Sequence, residues 1–246
     1  MLNILLRISI HLTSERYIPV EVLNKYYVQS AIYSLLLGTE HSELHDSKHF
    51  KFFSFSDFFP AGPFFPHKGK TIVISSPDVE LIDFLFTRLD RVKCLYFLGY
   101  RAEIEECRKF DMRGKVTQWQ TGSPITLYKN NRDNLYFSFT KGDNVDFFLE
   151  RLKDNALRKY RVFADNPDFT IIGNLFDRLM FKKEVSMLLT RNGEAFNIIG
   201  SVWAFLKKTN INREQREFYE FLFDAGLGEK NSLGFGFVNP VKRVSL

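Results

Sequence analysis

Residues 212–238 read NREQREFYEFLFDAGLGEKNSLGFGFV. The stretch predicts a helix over 212–224 that ends at Gly226, and a strand over 234–238. Between them lies a G-x-G-x5-G-x-G array made by Gly226, Gly228, Gly234 and Gly236. Glycines in such a cluster remove side chains where a bulky ligand or another backbone must come close. The array leaves a helix and enters a strand, the reverse of a dinucleotide fingerprint, and no Gly-Lys-Ser/Thr follows as in a Walker loop. Consecutive amides in such a loop can form an anion-binding nest, and Lys230 adds a charge. A helix C-cap followed by a tight turn would account for one or two of the four glycines.

Working back from this passage, the chain repeats one order twice: strand, helix, strand, strand, helix, strand. The first round predicts a strand at 4–10, where apolar residues alternate with Arg7 and Ser9. A helix follows over 21–38, with Leu23, Tyr27, Val28, Ala31, Ile32 and Leu35 on one face. Strands at 51–56 and 71–75 flank a Pro/Gly-rich turn. Ser76-Pro77-Asp78 then starts a helix over 79–89, and one long strand covers 92–100. The second round has strands at 124–128 and 135–139, and a helix from Asn144 to about Val162. A hairpin at 183–206 turns at Asn192-Gly193, and the closing helix and strand are those quoted above. The fold class is therefore α+β, with two ferredoxin-like βαββαβ units in tandem. The expected domains are 1–112 and 113–246.

Composition narrows the function classes. A chain of 246 residues that is 45% hydrophobic is not disordered, and it holds no apolar run near membrane-spanning length. The start lacks the flanks of a signal peptide, and two cysteines cannot make a disulfide framework, so a cytoplasmic location and no membrane association are expected. Lys+Arg exceed Asp+Glu by 34 to 29, a net +5 that attracts polyanions. The exposed aromatics expected at Phe64 and Phe65 leave room for a homodimer.

Several polar groups stand out. Tyr33 lies opposite the apolar face of its helix, alongside Tyr26. It either packs against the second domain or presents a phenol at a cleft. Three of the five histidines follow: His41, His45 and His49, with Lys51 just downstream. Their spacing of four would let a helix place two on one metal, although no carboxylate or cysteine completes a zinc pattern. Alternatively one imidazole does acid–base work while Lys51 offsets negative charge. On the third helix Arg151, Arg158 and Arg161 form one stripe, suited either to a phosphate backbone or simply to solvent. Lys182, Lys183 and Arg191 flank the hairpin, and Lys207 and Lys208 follow it.

Taken together, these pieces resemble the CRISPR-associated repeat-cleaving endoribonucleases, the Cas6 family. The likeness is carried by 26–33 (YYVQSAIY), by Leu44-His45-Asp46 with 51–56 (KFFSFS), by Thr121-Gly-Ser123-Pro124-Ile125, and by the glycine array. It implies cleavage of precursor CRISPR RNA within each repeat, without metal or other cofactor, leaving a 2′,3′-cyclic phosphate and a 5′-hydroxyl. The partner it implies is the CRISPR repeat RNA. Its Tyr/His/Lys catalytic group corresponds here to Tyr33, His45 and Lys51, with His41 and His49 as neighbouring candidates for the imidazole. RNA contacts are expected from the glycine array with Lys230 and from Arg151, Arg158, Arg161, Lys182, Lys183 and Arg191. Two rivals stay open: a non-catalytic RNA-binding subunit working with other subunits of a CRISPR effector complex, and a metal-dependent nuclease built on the histidines.

Overall fold

β1 (Leu6–Thr13) is the central strand of the first sheet, with Ile8, Ile10 and Leu12 buried on one face as period-two alternation requires. The computed structural model describes residues 6–39, 50–112, 117–191 and 194–241. After one 3-10 turn at Val20–Leu23 comes α1 (Lys25–Ser34). The expected single helix over 21–38 is divided because Asn24 is extended and caps α1, its side chain accepting from the amides of Tyr26 and Tyr27 at 3.0 and 3.2 Å. Next come β2 (Ser54–Phe55), β3 (Lys70–Ser75), and α2 (Val79–Val92), which Asp78 caps at the Leu81 amide.

The predicted long strand over 92–100 is two strands. β4 (Cys94–Phe97) turns at Leu98 and Gly99, both at positive φ, into β5 (Tyr100–Asp111). β5 escaped the pattern because most of it is exposed, so its polar residues show no core-facing alternation. The sheet order is β2-β3-β1-β5-β4, antiparallel throughout. This is the ferredoxin-like arrangement with β4 added at one edge.

The second half holds β6 (Gln118–Thr121), a small hairpin of β7 (Tyr128–Asn130) and β8 (Leu135–Tyr136), and α3 (Val145–Phe163). Then follow β9 (Arg178–Arg191), β10 (Glu194–Lys207), α4 (Arg213–Ala225) and β11 (Val238–Pro240). The order β11-β6-β10-β9 is ferredoxin-like without additions. The strand expected at 124–128 is reduced to bridges, Ile125 exchanging two 2.8 Å backbone bonds with Ser201. Pro124, which has no amide hydrogen, stands between this bridge and β6. The closing strand starts at Val238 and not at Gly234, since Gly234 and Gly236 sit at positive φ, outside the β region.

Each sheet packs its helices over its own core. One runs from Ile8 to Ala102 and the other is centred on Trp119, Phe148, Phe218 and Phe223. Phe64, expected at the surface, is fully buried in the first core, whereas Phe65 is exposed. Arg7 departs further from its pattern. Its strand alternation reads as a solvent-facing residue, yet it is 1% exposed. The face of β1 opposite α1 and α2 is covered here by the second half. Arg7 Nε donates to Asp224 Oδ1 at 2.9 Å, while its other nitrogens donate to the carbonyls of Val238 and Phe223 at 2.7 and 2.5 Å. Ser54 and Ser75 also donate to the Asp224 carbonyl, so β1, β2 and β3 all meet the end of α4 at one polar seam. Among the described residues, no helix is long and apolar enough to cross a membrane.

Candidate active site

The segment from Gly226 to Gly236 lies in this seam between the halves, and its amides are largely committed to the protein. Leu227 N donates to Gly236 O at 2.9 Å, Glu229 N to Thr126 O at 2.9 Å, and Gly236 N to Pro124 O at 2.7 Å. Gly226 N and Gly234 N donate to Leu222 O and Asn231 O. The glycines thus serve close packing more than a nest of free amides. A Cβ on Gly236 would overlap the Leu227 carbonyl oxygen, and one on Gly234 would overlap the Phe55 ring. The groups the loop turns outward are Glu229, Lys230 and Ser232, in the wall of one cleft that the buried Asn231 also lines.

Two helices grip the loop from opposite sides, each with polar residues at i, i+4 and i+8 on one face. From α1, Lys25 Nζ donates to Gly234 O at 2.5 Å and Gln29 Nε2 donates to Ser232 O at 2.9 Å, and Tyr33 follows on the same face with its hydroxyl beside Ser232. This explains why Tyr33 faces away from its helix's apolar side. The residue is buried, edge-on to Phe53, at the junction of α1 with the loop. From α3, Lys159 Nζ donates to Gly226 O at 2.6 Å, Gly228 O at 3.1 Å and Asn231 Oδ1 at 2.9 Å. Asn231 in turn donates to the Leu227 and Phe235 carbonyls, each at 3.0 Å. Arg151 Nη2 lies 3.7 Å from Glu229 Oε1. Asn155 completes the α3 stripe.

The cleft, about 250 Å³, is lined by Lys51, Phe50 and Phe52 on one side and by Asn155, Lys159 and the loop on the other. Lys51 Nζ sits 5.2 Å from the centre of the Tyr33 ring, so these two sequence-predicted groups are neighbours. His45, with His41 and His49, lies outside the described residues. Burial pushes the Tyr33 phenol up to about 12, with the neighbouring Ser232 opposing. Burial lowers Lys159 to about 7, with the charge of Glu229 opposing. Glu229 is raised by its own burial, against a hydrogen bond from the Tyr128 amide and the charges of Arg151, Arg158 and Lys230.

The remaining basic residues are dispersed. Arg158 is exposed beside the α3 stripe, and Arg161 donates to Phe169 O at 2.8 Å. Lys182 and Lys183 are exposed on β9, while Arg191 pairs with Glu194 in the backbone register nearest the hairpin turn. Lys230 Nζ stands 5.2 Å from the centre of the Tyr128 ring.

A family model described as CRISPR associated protein Cas6, C-terminal, matches residues 105–240. A protein of Methanocaldococcus jannaschii named CRISPR-associated endoribonuclease Cas6 2 is 40% identical over 243 residues, spanning 96% of this chain and 100% of that one. The chain belongs to the Cas6 family. A solved structure described as CRISPR associated protein Cas6 superposes with a TM-score of 0.71 at 23% identity, covering 96% of this chain and 99% of that chain. Another, described as an RAMP protein binding different RNA substrates, gives 0.69 at 18% identity over 96% and 100%. Both share the Cas6 fold of two ferredoxin-like sheets.

Within this Cas6 chain, sequence reasoning passed over Lys159 and Asn155. A signal was present: they stand seven residues after Leu152 and Phe148, both buried on α3. A heptad step keeps the same helical face, so a buried stripe turns polar as it passes under the loop.

Proposed function

We propose that this chain is an endoribonuclease that cuts precursor CRISPR RNA within its repeats, using the substrate's own 2′-hydroxyl as nucleophile and no metal. The observation that carries this reading is that Lys51 lines one cleft together with the outward face of the glycine loop, its Nζ 5.2 Å from the ring of the buried Tyr33 behind it, in a chain of the Cas6 family. His45 accepts the 2′-hydroxyl proton as the 2′-oxygen bonds to phosphorus. The bond to the 5′-oxygen breaks, leaving a 2′,3′-cyclic phosphate and, once protonated, a 5′-hydroxyl. Tyr33, which keeps its proton at neutral pH, donates toward the leaving oxygen, and Lys51 offsets charge on the phosphorane-like transition state. The division into domains 1–112 and 113–246 belongs to the same reading, with Tyr33, His45 and Lys51 in the first and the glycine loop in the second.

Repeat RNA incubated with the protein in EDTA tests the proposal, beside a substrate carrying one 2′-deoxy sugar at the cut. Cleavage is expected to persist in EDTA and to vanish with the deoxy sugar. Inactivation by EDTA would favour a metal-dependent nuclease, and tight binding without cleavage a scaffold subunit. His45→Ala should lose about two decades of single-turnover rate, roughly 2.7 kcal/mol, while repeat affinity stays within a few-fold. Equal losses in both would remove His45 from the chemistry.

The exposed cations Arg158 and Lys183 are assigned to the RNA backbone. Replacing either with alanine should flatten the dependence of log affinity on log salt by about 0.7 per residue, as expected for counterions released from single-stranded RNA. An unchanged slope would show that these side chains only face solvent.

A further inference from the structure

Of the six polar residues that α1 and α3 turn toward the glycine loop, five reach it: Lys25, Gln29, Tyr33, Arg151 and Lys159. Asn155 is the exception. It is 2% exposed, it lines the cleft, and its Oδ1 has no hydrogen-bond partner. A buried amide oxygen left without a donor costs free energy, and native structures seldom retain one without a reason. Replacing it by an apolar residue of the same size would cost little. Arg151 Nε, one turn earlier on the same stripe, is buried and unpaired as well, so α3 keeps an unmet donor and an unmet acceptor here, and the acceptor belongs to the residue that lines the cleft, where a donor arrives from outside.

The surroundings say what kind of donor fits. Phe50, exposed in the same wall, is stacked on Phe52 with ring centres 6.1 Å apart and planes at 29°. Phe52 is fixed from behind by Phe163 and Phe221, which makes the pair a rigid platform. Flat rings of this kind stack nucleobases without regard to identity, whereas amide groups read their edges. Lys51 and Lys230 supply positive charge around the cleft. Its volume of about 250 Å³ falls below the roughly 300–1,000 Å³ of sites for drug-sized ligands, which suits one nucleoside and not a longer segment.

We propose that this cleft is a single-nucleoside subsite, in which Phe50 stacks the base and Asn155 Oδ1 accepts a hydrogen bond from a donor on the nucleoside, either a base N–H or the ribose 2′-hydroxyl. The proposal rests on the RNA-cleaving reading above and adds the residue that selects the nucleotide. Asn155 is a specificity residue here and has no part in moving the reaction's protons.

The test measures affinity for repeat RNA made uncleavable by a 2′-deoxy sugar at the cut. At each neighbouring position, one set of substrates replaces the base with an analogue lacking its donor, and another removes the 2′-hydroxyl. The folded protein is expected to show one position where a single change costs about 5–20-fold in affinity, the size of one buried hydrogen bond. A loss in the first set assigns the base edge, and a loss in the second assigns the ribose. Asn155→Leu should abolish that discrimination while melting no lower than the unsubstituted protein, because the orphan acceptor is gone. Asn155→Ala provides the same readout if leucine disturbs packing. Discrimination that survives in both variants, or no sensitive position at all, overturns the subsite even where cleavage proceeds normally. Failure to bind or cut RNA in any form would instead count against the endoribonuclease reading.

Discussion

Gly236→Ala is expected to destabilise the protein by about 2–5 kcal/mol and to remove RNA cleavage with it. Two costs combine. The residue sits at φ +72, where a Cβ costs about 1–2 kcal/mol, and that Cβ would overlap the Leu227 carbonyl oxygen, adding the roughly 1–3 kcal/mol of overpacking. The carbonyl cannot move aside easily, because its residue's amide donates to Gly236 O and Asn231 donates to the carbonyl itself. Gly142 separates the two costs. It has φ +80 with nothing within 4 Å of its added Cβ, so Gly142→Ala should show the backbone cost alone. Denaturant midpoints for the two variants decide the matter. Equal losses would mean that close packing does not explain the array.

Arg7→Met should cost about 3–5 kcal/mol at pH 7.5, the usual penalty for removing one partner of a buried ion pair. It strands the Asp224 carboxylate together with the Val238 and Phe223 carbonyls. The loss should shrink toward acid. Burial already pushes Asp224 up to about 6, against the pull of Arg7, and without Arg7 its pKa rises further. The folded chain therefore holds a proton that the unfolded chain has released, which favours folding at low pH. With Arg7 present, that contribution declines as pH rises from about 4 to 6; in the variant the decline continues to higher pH. Arg7→Met combined with Asp224→Leu should recover part of the loss, since an apolar pair leaves no buried charge. A pH-independent loss would show that the carboxylate plays no part in the seam.

The sequence discloses local order where a capping residue or turn settles the matter. Asp78, Asn144 and Asn212 cap α2, α3 and α4 through their side chains, and the long hairpin pairs Arg191 with Glu194, while Asn192 and Gly193 themselves lie outside the described residues. Elements that depend on the second half were harder to read. Arg7 looks solvated until another sheet covers it, and β5 hides because it covers little. Tyr33 was conspicuous as a tyrosine off its apolar face, but only the loop that meets it supplies the reason. Lys159 and Asn155 were concealed by the opposite error, polar residues riding a stripe whose apolar positions had already been assigned to the core. Long-range pairing of this kind leaves no periodic trace, since its partners stand about 70 residues apart in Lys159 with Gly228 and 217 in Arg7 with Asp224.

β9 and β10 are 14 residues each, while the strands beside them in the sheet have four and three. Their outer part is carried past the sheet, and there Leu189 and Ile198 close a small apolar cluster with Phe235. Phe235 lies between Gly234 and Gly236, so the hairpin arm is bolted to the back of the turn whose front lines the cleft. Arm and turn are therefore packed as one piece, so a substitution that loosens Leu189 or Ile198 removes the support behind the cleft's own wall.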